Sequence, residues 1–430
     1  AMAGSILETT NQHFLSALVK LSEEQEIHVS EDVFSHTGMK LIARGTQVSR
    51  GLYERIVNHK LLRPLELSLS VSDGALPDYS SMGEHLFDEM PNLKHLADWK
   101  YGRVTPVGML KELKFPRQAH PVLALAERRT TCSLKVDVLV TLLAMGIANA
   151  YRYNDARLMA QVATAAMLHD VGELYINPAV VAQHESAEPL EWLQYSAHPV
   201  IAATVAREVI GLDPAIQRGV LEHHETLDGA GYPRGLHSDG ISEIGMIVGT
   251  AALIATLIGE DNSCQRIGIA LKFMPGEYNP KLVSSINELM RDVHGACEGQ
   301  APTESRHLTT RIHRTLLGMG GVPETYEKLA SRQRELSKSA WLMLEHFFDR
   351  FVRLQRAFTS TGVAGLPKIP SEDEGVEDAY FEARCVLQEI GRRCAKLARE
   401  LAAKTDRDKS FTPIDQACLM EFANALAAAG

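Results

Sequence analysis

The stretch of sequence that decides the fold is His223-His224-Glu225-Thr226-Leu227-Asp228-Gly229-Ala230-Gly231-Tyr232-Pro233-Arg234-Gly235-Leu236. Its glycines can adopt positive φ and Pro233 fixes its own φ, so the pattern predicts a rigid turn that leaves a helix. Two adjacent imidazoles precede this turn. A purely structural explanation also exists, because histidines at a helix C-terminus interact favourably with the helix dipole.

Further residues of the kind that bind divalent metals precede this stretch, at His169-Asp170 and at His198. A carboxylate has two oxygens and can bridge two metal ions, which makes an Asp beside a His productive at the end of a helix. Taken singly, each piece is weak evidence. A His followed by an acid is expected about twice by chance in a chain of this composition, and His198 is also explained as a helix residue ahead of Pro199.

Together, these motifs resemble the HD-GYP family, a branch of the HD superfamily of metal-dependent phosphohydrolases. The matching strings are Leu168-His169-Asp170-Val171-Gly172, His198-Pro199-Val200-Ile201 and residues 223–236, and the resemblance extends from Thr131 to about Asp261. It implies an HD-type helical bundle whose metal ligands are His169, Asp170, His198, His223 and His224, with His169 and Asp170 also catalytic. It further implies a loop for substrate or partner contacts at Asp228, Gly229, Gly231, Tyr232, Pro233 and Arg234.

Three positions depart from the family pattern. Cys132 stands where a ligand His is expected, Ala252 where a later Asp is expected, and Glu173 where a Lys usually follows the His-Asp pair. The resemblance implies two metal positions, of which the first keeps only His169 and Asp170. The second keeps Asp170 and the three later histidines. We therefore expect one divalent ion, such as iron, manganese or zinc, rather than two, with Cys132 and Glu173 as possible substitute ligands.

Two hypotheses for function follow from the resemblance. In the first, the chain is a metal-dependent phosphodiesterase that hydrolyses cyclic-di-GMP, or another small phosphoester, in bacterial signalling. In the second, it is a catalytically degenerate member that acts as a ligand-binding or protein-interaction module. The intact histidines and loop favour the first, and the changes at Cys132 and Ala252 favour the second, because losing one of two metals removes electrostatic assistance to phosphodiester cleavage.

The amino-acid composition limits which binding partners and which cellular location are expected. The 430 residues carry a net charge of −10 and no Lys/Arg block long enough to follow a phosphate backbone, which argues against duplex nucleic acid. The six cysteines form no Cys-x-x-Cys pair, no apolar run approaches the length of a membrane span, and the first residues resemble a cloning scar rather than a signal peptide. We therefore predict a cytoplasmic protein with reduced thiols and no membrane span.

The periodicity of apolar residues changes along the chain and predicts a mainly α-helical protein. Short apolar runs predict a small N-terminal α+β module over 1–75, with a hairpin and a helix near 50–60, followed by a connector over 76–115. A helical HD-GYP-like domain is expected over 116–300, and a C-terminal helical region over 301–430 with a linker near 359–377. An amphipathic stripe over 325–358 predicts one long helix, whose apolar face is either core or a homodimer seam.

Overall fold

The computed structural model describes residues 7, 10–71, 77–97, 99, 105–129, 134–259, 263–291, 305–363 and 374–430. Helices dominate these residues, and the strands among them all lie before residue 72. This confirms the predicted fold class, which is mainly α-helical with some β structure near the N-terminus and additional helices at the C-terminus.

Packing divides the chain into two compact units. The first comprises residues 1–184, 194–259 and 276–294, and the second comprises residues 185–193, 260–275 and 295–430. All five predicted metal ligands belong to the first unit. The four domains predicted above are continuous segments, whereas each of these units combines several stretches of the chain. The predicted boundaries stay a prediction.

The first unit begins with a small module of helices and strands. Helix α1 (Gln12–Ser22) starts at Asn11, whose side chain accepts hydrogen bonds from the backbone N–H groups of His13 and Phe14. Two antiparallel pairs, β1 with β4 and β2 with β3, are formed by β1 (Ile27–Val29), β2 (Val33–Phe34), β3 (Lys40–Ile42) and β4 (Leu69–Val71). Helix α2 (Arg50–Ile56) follows β3 in the chain. The predicted hairpin and helix are thereby confirmed.

The segment expected to be a connector is largely helical. It contains α3 (Tyr79–Glu89), α4 (Pro91–Ala97) and α5 (Pro106–Glu112). Leu86, Leu93 and Leu96 are fully or almost fully buried. A Cβ added at Gly146, on the long helix that follows, would lie only 2.2 Å from the backbone oxygen of Leu96. The segment is therefore packed into the first unit at backbone contact distance.

The chain then forms a series of helices, most of which build the core of the first unit. They are α6 (His120–Ala126), α7 (Leu134–Tyr151), α8 (Ala156–Leu168), α9 (Pro178–Ala182), α10 (Pro189–Tyr195), α11 (His198–Val205), α12 (Pro214–Glu222), α13 (Glu243–Leu257), α14 (Ser263–Lys272) and α15 (Pro280–Met290). Helices α8 and α13 pack against α7, and α12 packs against α8, α11 and α13. This arrangement brings the end of α8, the start of α11 and the end of α12 to one place.

Helix α7 is the one described helix that is long and apolar enough to cross a membrane by length and composition. The sequence analysis found no such run, and that expectation was wrong for residues 134–151. In the structure, 72% of this helix is buried inside the protein. That burial is typical of the core helix of a helical bundle, which passes the same test because both environments favour apolar side chains.

The N-terminal module contacts the helical turn Val171–Tyr175, which directly follows Asp170. The hydroxyl of Tyr175 donates a hydrogen bond to Glu66 Oε1 at 2.6 Å. The ring of Phe14 stacks on that of Tyr175 with centroids 4.9 Å apart, and Asn11 Nδ2 donates to the backbone oxygen of Tyr175 at 2.9 Å. The module is thus anchored next to the His-Asp pair.

The second unit is formed mainly by α16 (Ser305–Ala330), α17 (Lys338–Ser360), α18 (Glu374–Arg407) and α19 (Pro413–Ala428). The predicted single helix over 325–358 is wrong, because the helical path ends at Ala330 and restarts at Lys338. Ser337 caps the new helix by accepting a hydrogen bond from Ala340 N at 3.2 Å. Its own N–H donates to Asp415 Oδ1 at 2.8 Å, so a tertiary contact holds the break.

The apolar stripe of α17 lies in the core of the second unit. Leu344, Phe347, Phe351, Leu354 and Phe358 are buried in one cluster with residues of α16, α18 and α19. The apolar face of this helix therefore belongs to the core of the second unit rather than to a homodimer seam. Residues 364–373, at the centre of the predicted linker, lie outside the described residues.

We expect Gly146→Ala to destabilise the first unit by about 1–3 kcal/mol, because the new methyl group cannot be placed without moving α4 away from α7. Thermal denaturation of the purified chain would measure this. Gly51→Ala is the matched control, since a Cβ there meets nothing closer than Ser49 Oγ at 3.8 Å. Equal melting temperatures for the two variants would contradict the close packing of the connector helices.

The buried carboxyl of Glu66 predicts a pH-dependent stability. Burial raises the pKa of Glu66 above its usual value of 4.5, and the hydrogen bond from Tyr175 only partly opposes this. Below the pKa that Glu66 has in the unfolded chain, its carboxyl is protonated in both the folded and the unfolded state, so its burial does not lower the stability through ionisation. As the pH rises from there to the folded pKa, the unfolded chain ionises first and stability falls, after which the cost stays constant.

Glu66→Gln should therefore raise the melting temperature at pH 8 and leave it nearly unchanged at pH 4, since a neutral amide can accept the same hydrogen bond from Tyr175. Glu54→Gln, at a position whose side chain is 69% exposed, is the control. If Glu66→Gln had the same effect at both pH values, ionisation of Glu66 would not oppose folding.

Candidate metal centre

The carboxylate of Asp170 is the centre of the site. Helix α8 ends at Leu168, and the chain then turns so that His169 and Asp170 point into the first unit. Oδ2 of Asp170 lies 3.1 Å from His169 Nε2. Its Oδ1 lies 3.2 Å from His198 Nε2 and 3.4 Å from His223 Nε2. A single buried carboxylate thus contacts three imidazoles that come from three different helix ends.

The three imidazoles are held in the same way by their own helices. The Nδ1 atom of each ring lies at hydrogen-bond distance from the backbone oxygen three residues earlier: His169 to Ala166 at 2.7 Å, His198 to Tyr195 at 2.8 Å and His223 to Val220 at 2.7 Å. A carbonyl oxygen can only accept, so Nδ1 carries the proton and the lone pair of a neutral ring is on Nε2. This is how proteins orient histidines that ligate metals.

The arrangement fits a divalent cation. The Nε2 atoms of His198 and His223 are 3.3 Å apart, and both face the Asp170 carboxylate. With Nδ1 protonated, two lone pairs and a negative oxygen point at one another, which only a positive charge between them would make favourable. The Oδ1 atom of Asp170 has no hydrogen-bond partner although it is buried, as expected for a metal-binding oxygen.

His224 completes this group. Ligand atoms of Asp170, His198, His223 and His224 all lie within 4.8 Å of one another. The ring of His224 stacks on Tyr232 with centroids 4.5 Å apart. These four side chains offer imidazole nitrogen and carboxylate oxygen, a donor set that suits zinc, iron or manganese.

The pKa values of the group favour its metal-binding protonation states. Burial lowers the pKa of His223 to about 4 and that of His224 well below its usual range, so both rings are neutral near pH 7. Burial raises the pKa of Asp170, but the charge and hydrogen bond of His169 outweigh it and hold that pKa well below its usual value. A carboxylate with neutral imidazoles is the form that coordinates metal.

His169 behaves differently from the other imidazoles. Burial lowers its pKa, but the charge and hydrogen bond of Asp170 more than offset this and raise it to about 9. His169 also belongs to a second group of possible ligands, with Asp137 and Asp170. Asp137 lies on α7, and its Oδ1 is 3.9 Å from His169 Nδ1.

Sequence reasoning missed Asp137 and its partner Arg129. Asp137 is fully buried, and Arg129 forms ion pairs with both Asp137 and Glu173. Burial raises the pKa of Asp137 to about 6 and that of Glu173 to about 7, although Arg129 opposes both shifts. The signal available in the sequence was an Asp immediately before the long apolar run 138–148, because a charge that is buried there needs a specific partner.

The structure therefore brings His169, Asp170, His198, His223 and His224 together, and their role as metal ligands stays a prediction. Glu173 is buried beside them and paired with Arg129. Ala252 lies half-buried on α13 and offers no ligand atom. Cys132 lies outside the described residues.

Two close approaches of backbone make this convergence possible. A Cβ at Gly172 would lie 2.1 Å from the backbone oxygen of His198, and one at Gly249 would lie 2.2 Å from that of His223. Glycine at these positions lets the turn after Asp170 and helix α13 contact the ligand-bearing backbones directly. Gly249 was not singled out by the sequence analysis, because a glycine in an apolar helix carries no functional signal by itself.

The loop after His224 is rigid, as predicted. Gly229 and Gly235 have φ of 77° and 64°, and Asp228 Oδ1 accepts hydrogen bonds from Thr226 Oγ1 at 2.7 Å and Ala230 N at 3.1 Å. Gly231, by contrast, has no positive φ among the described backbone angles. It is enclosed instead, since a Cβ there would lie 2.4 Å from the Glu225 Cα.

Two buried acids that the sequence analysis did not single out anchor this loop. Glu225 accepts hydrogen bonds from Arg234 N at 2.7 Å and Leu236 N at 2.8 Å. Glu222 accepts one from Ser242 N at 2.6 Å and pairs with the side chains of Arg218 and Arg234. Tyr232 and Pro233 are half-buried and the Arg234 side chain is 45% exposed.

Comparison with known proteins agrees with this geometry. The HD domain family matches residues 121–268. A 3'3'-cGAMP-specific phosphodiesterase from Vibrio cholerae is 37% identical over 98 residues, which are 22% of this chain and 21% of that protein. The cyclic di-GMP phosphodiesterase PdeB from Borreliella burgdorferi is 29% identical over 122 residues, covering 28% of this chain and 32% of its own length.

A cyclic di-GMP phosphodiesterase from Thermotoga maritima is 24% identical over 171 residues, covering 38% of this chain and 46% of that protein. This chain therefore spans less than half the length of each of these three relatives. Among solved structures, an HDGYP protein from Bdellovibrio bacteriovorus is 15% identical with a TM-score of 0.33, and the match covers 62% of this chain and 94% of that one.

The family match and the metal-ligand motifs fall on one segment of the chain. The HD domain family therefore matches one segment of this chain, residues 121–268, and this segment contains His169, Asp170, His198, His223 and His224.

Proposed function

We propose that this chain is a metal-dependent phosphohydrolase that cleaves a phosphodiester bond of a cyclic dinucleotide, with cyclic-di-GMP as the expected substrate. The observation that carries the proposal is the convergence of Asp170 with the Nε2 atoms of His198 and His223, with His224 beside them. The relatives reported above are named as phosphodiesterases of cyclic di-GMP and of 3'3'-cGAMP.

Asp170, His198, His223 and His224 would hold one divalent ion. When bound, such an ion supplies positive charge that polarises a phosphoryl group and makes water more acidic. The backbone carbonyls behind His198 and His223 keep these rings oriented before any ion binds. Little reorganisation is then needed when the site is loaded, which favours tight binding.

In this proposal, His169 orients the carboxylate of Asp170. The charge and hydrogen bond of Asp170 raise the pKa of His169, and its Nε2 lies at hydrogen-bond distance, 3.1 Å, from Asp170 Oδ2. This bond orients the carboxylate so that Oδ1 faces His198 and His223.

The loop edge would contact the dinucleotide. Tyr232 stacks on His224 and is half-buried, so an aromatic ring lies directly beside the ligand group. The guanidinium of Arg234 pairs with Glu222 on one side and its side chain is 45% exposed, and arginine forms bidentate bonds with phosphate oxygens. We therefore assign substrate contacts to Tyr232 and Arg234, with Asp228, Gly229, Gly231 and Pro233 shaping the loop.

The deciding experiment combines metal content with hydrolysis. The purified chain, reconstituted with Mn²⁺ or Fe²⁺ under anaerobic conditions, should convert cyclic-di-GMP to a linear product that chromatography resolves. Addition of a chelator should stop the conversion. A loaded protein that binds cyclic-di-GMP without converting it would instead favour the alternative, a catalytically degenerate binding module.

The ligand assignment predicts the behaviour of the paired histidines. His223→Ala or His224→Ala should lower the metal content by about tenfold or more, because each change removes a coordinating nitrogen from an already minimal donor set. Elemental analysis after gel filtration would measure it. His28→Ala is the control, since that side chain is 39% exposed and pairs only with Glu26 among the ion pairs of the described residues. Full metal content in either site variant would remove the basis of the proposal.

A further inference from the structure

A second buried cluster of charges lies against the four-ligand group and shares Asp170 with it. Its carboxylates are those of Asp137, Asp170 and Glu173, all buried, and His169 lies among them. Asp137, His169 and Asp170 offer ligand atoms within 4.8 Å of one another. In addition, Asp137 Oδ1 and Glu173 Oε1 are buried without a hydrogen-bond partner. Such a cluster requires a cation, because buried carboxylates are costly unless they are compensated.

The cation that the structure places there is the guanidinium of Arg129. Its side chain is only 6% exposed. Nη2 donates to Asp137 Oδ2, while Nη1 donates to Glu173 Oε2 at 3.2 Å and to the backbone oxygen of Asp170 at 2.7 Å. Arg129 therefore bridges Asp137 and Glu173, which belong to this cluster only. It also binds the backbone of Asp170, which both groups share.

A guanidinium and a metal ion would compete in this position. Each of the two acids has one oxygen engaged by Arg129 and one oxygen without a hydrogen bond. A dication bound to the second oxygens would lie within a few ångströms of a group that stays charged at any accessible pH. Repulsion between like charges at that distance is strong in a buried site.

We propose that Arg129 takes the place of a second metal ion, so that the chain holds one divalent ion at Asp170, His198, His223 and His224 with a fixed guanidinium beside it. This inference rests on the proposed metal site. It makes Arg129 a positioning residue, which acts through the backbone of Asp170 and the carboxylates of Asp137 and Glu173. It also explains why this cluster can keep three buried acids without a second ion.

The test is the number of ions bound per chain in excess Mn²⁺, measured by elemental analysis after gel filtration. Arg129→Gln removes the charge and should raise the content from about one to about two ions per chain, because the carboxylates of Asp137, Asp170 and Glu173 then no longer face a guanidinium and become available to a metal. Arg129→Gln combined with Asp137→Asn should return it to about one, since a ligand is then lost. Arg128→Gln is the matched control, because Arg128 is the neighbouring residue and pairs with Glu24 instead.

The outcomes separate this inference from the proposed function. One ion in both the parent and a folded Arg129→Gln variant would overturn the role of Arg129 and leave the four-ligand site standing. No ion in either protein would overturn both. Because loss of Arg129 could unfold the chain, the parent is also examined by electron paramagnetic resonance with Mn²⁺. A signal from isolated ions is expected, and a spin-coupled pair would overturn the inference without any variant.

Discussion

The structure of the site depends on one constraint, a buried carboxylate at Asp170 that must be compensated from several directions at once. Three imidazoles approach it at 3.1 to 3.4 Å, and each is oriented by the last or first turn of a helix. His169 compensates this charge from one side, but the Nε2 lone pairs of His198 and His223 face the carboxylate, so a cation between them is needed. The packing of α8, α11, α12 and α13 brings these ligand atoms together.

The helices can meet only because backbone approaches backbone. Gly172 lies against the carbonyl of His198 and Gly249 against that of His223, at distances that no side chain would allow. The same carbonyl-bearing turns hold the imidazoles through Nδ1, so packing and ligand orientation are coupled. A displacement of α13 would therefore move His223 as well as the core. The N-terminal module adds to this rigidity, since Tyr175, in the turn after Asp170, is held by Glu66, Phe14 and Asn11.

Arg129 shows how a departure from a family pattern is compensated within one chain. Glu173 stands where a Lys is usual, and Ala252 has no carboxylate. In the structure Glu173 is paired with Arg129, which also binds Asp137. A positive charge is thus restored near Asp170, but it comes from a different position and from a guanidinium. Charge balance in a buried site constrains the sum of the charges more tightly than the identity of the residue that supplies each one.

The sequence by itself determined the helical class and the set of five ligand-type residues, because these depend on local periodicity and on motifs whose members lie close together in the chain. It also determined the rigid loop, through Gly229 and Gly235. Only the tertiary structure decided the break between α16 and α17, which is held by a contact from Ser337 to Asp415 far along the chain. It likewise decided the pairing of Arg129 with Asp137 and Glu173 and the anchoring of the loop by Glu222 and Glu225. These depend on which charges are buried together, and burial is a property of the packed helices that no local pattern contains.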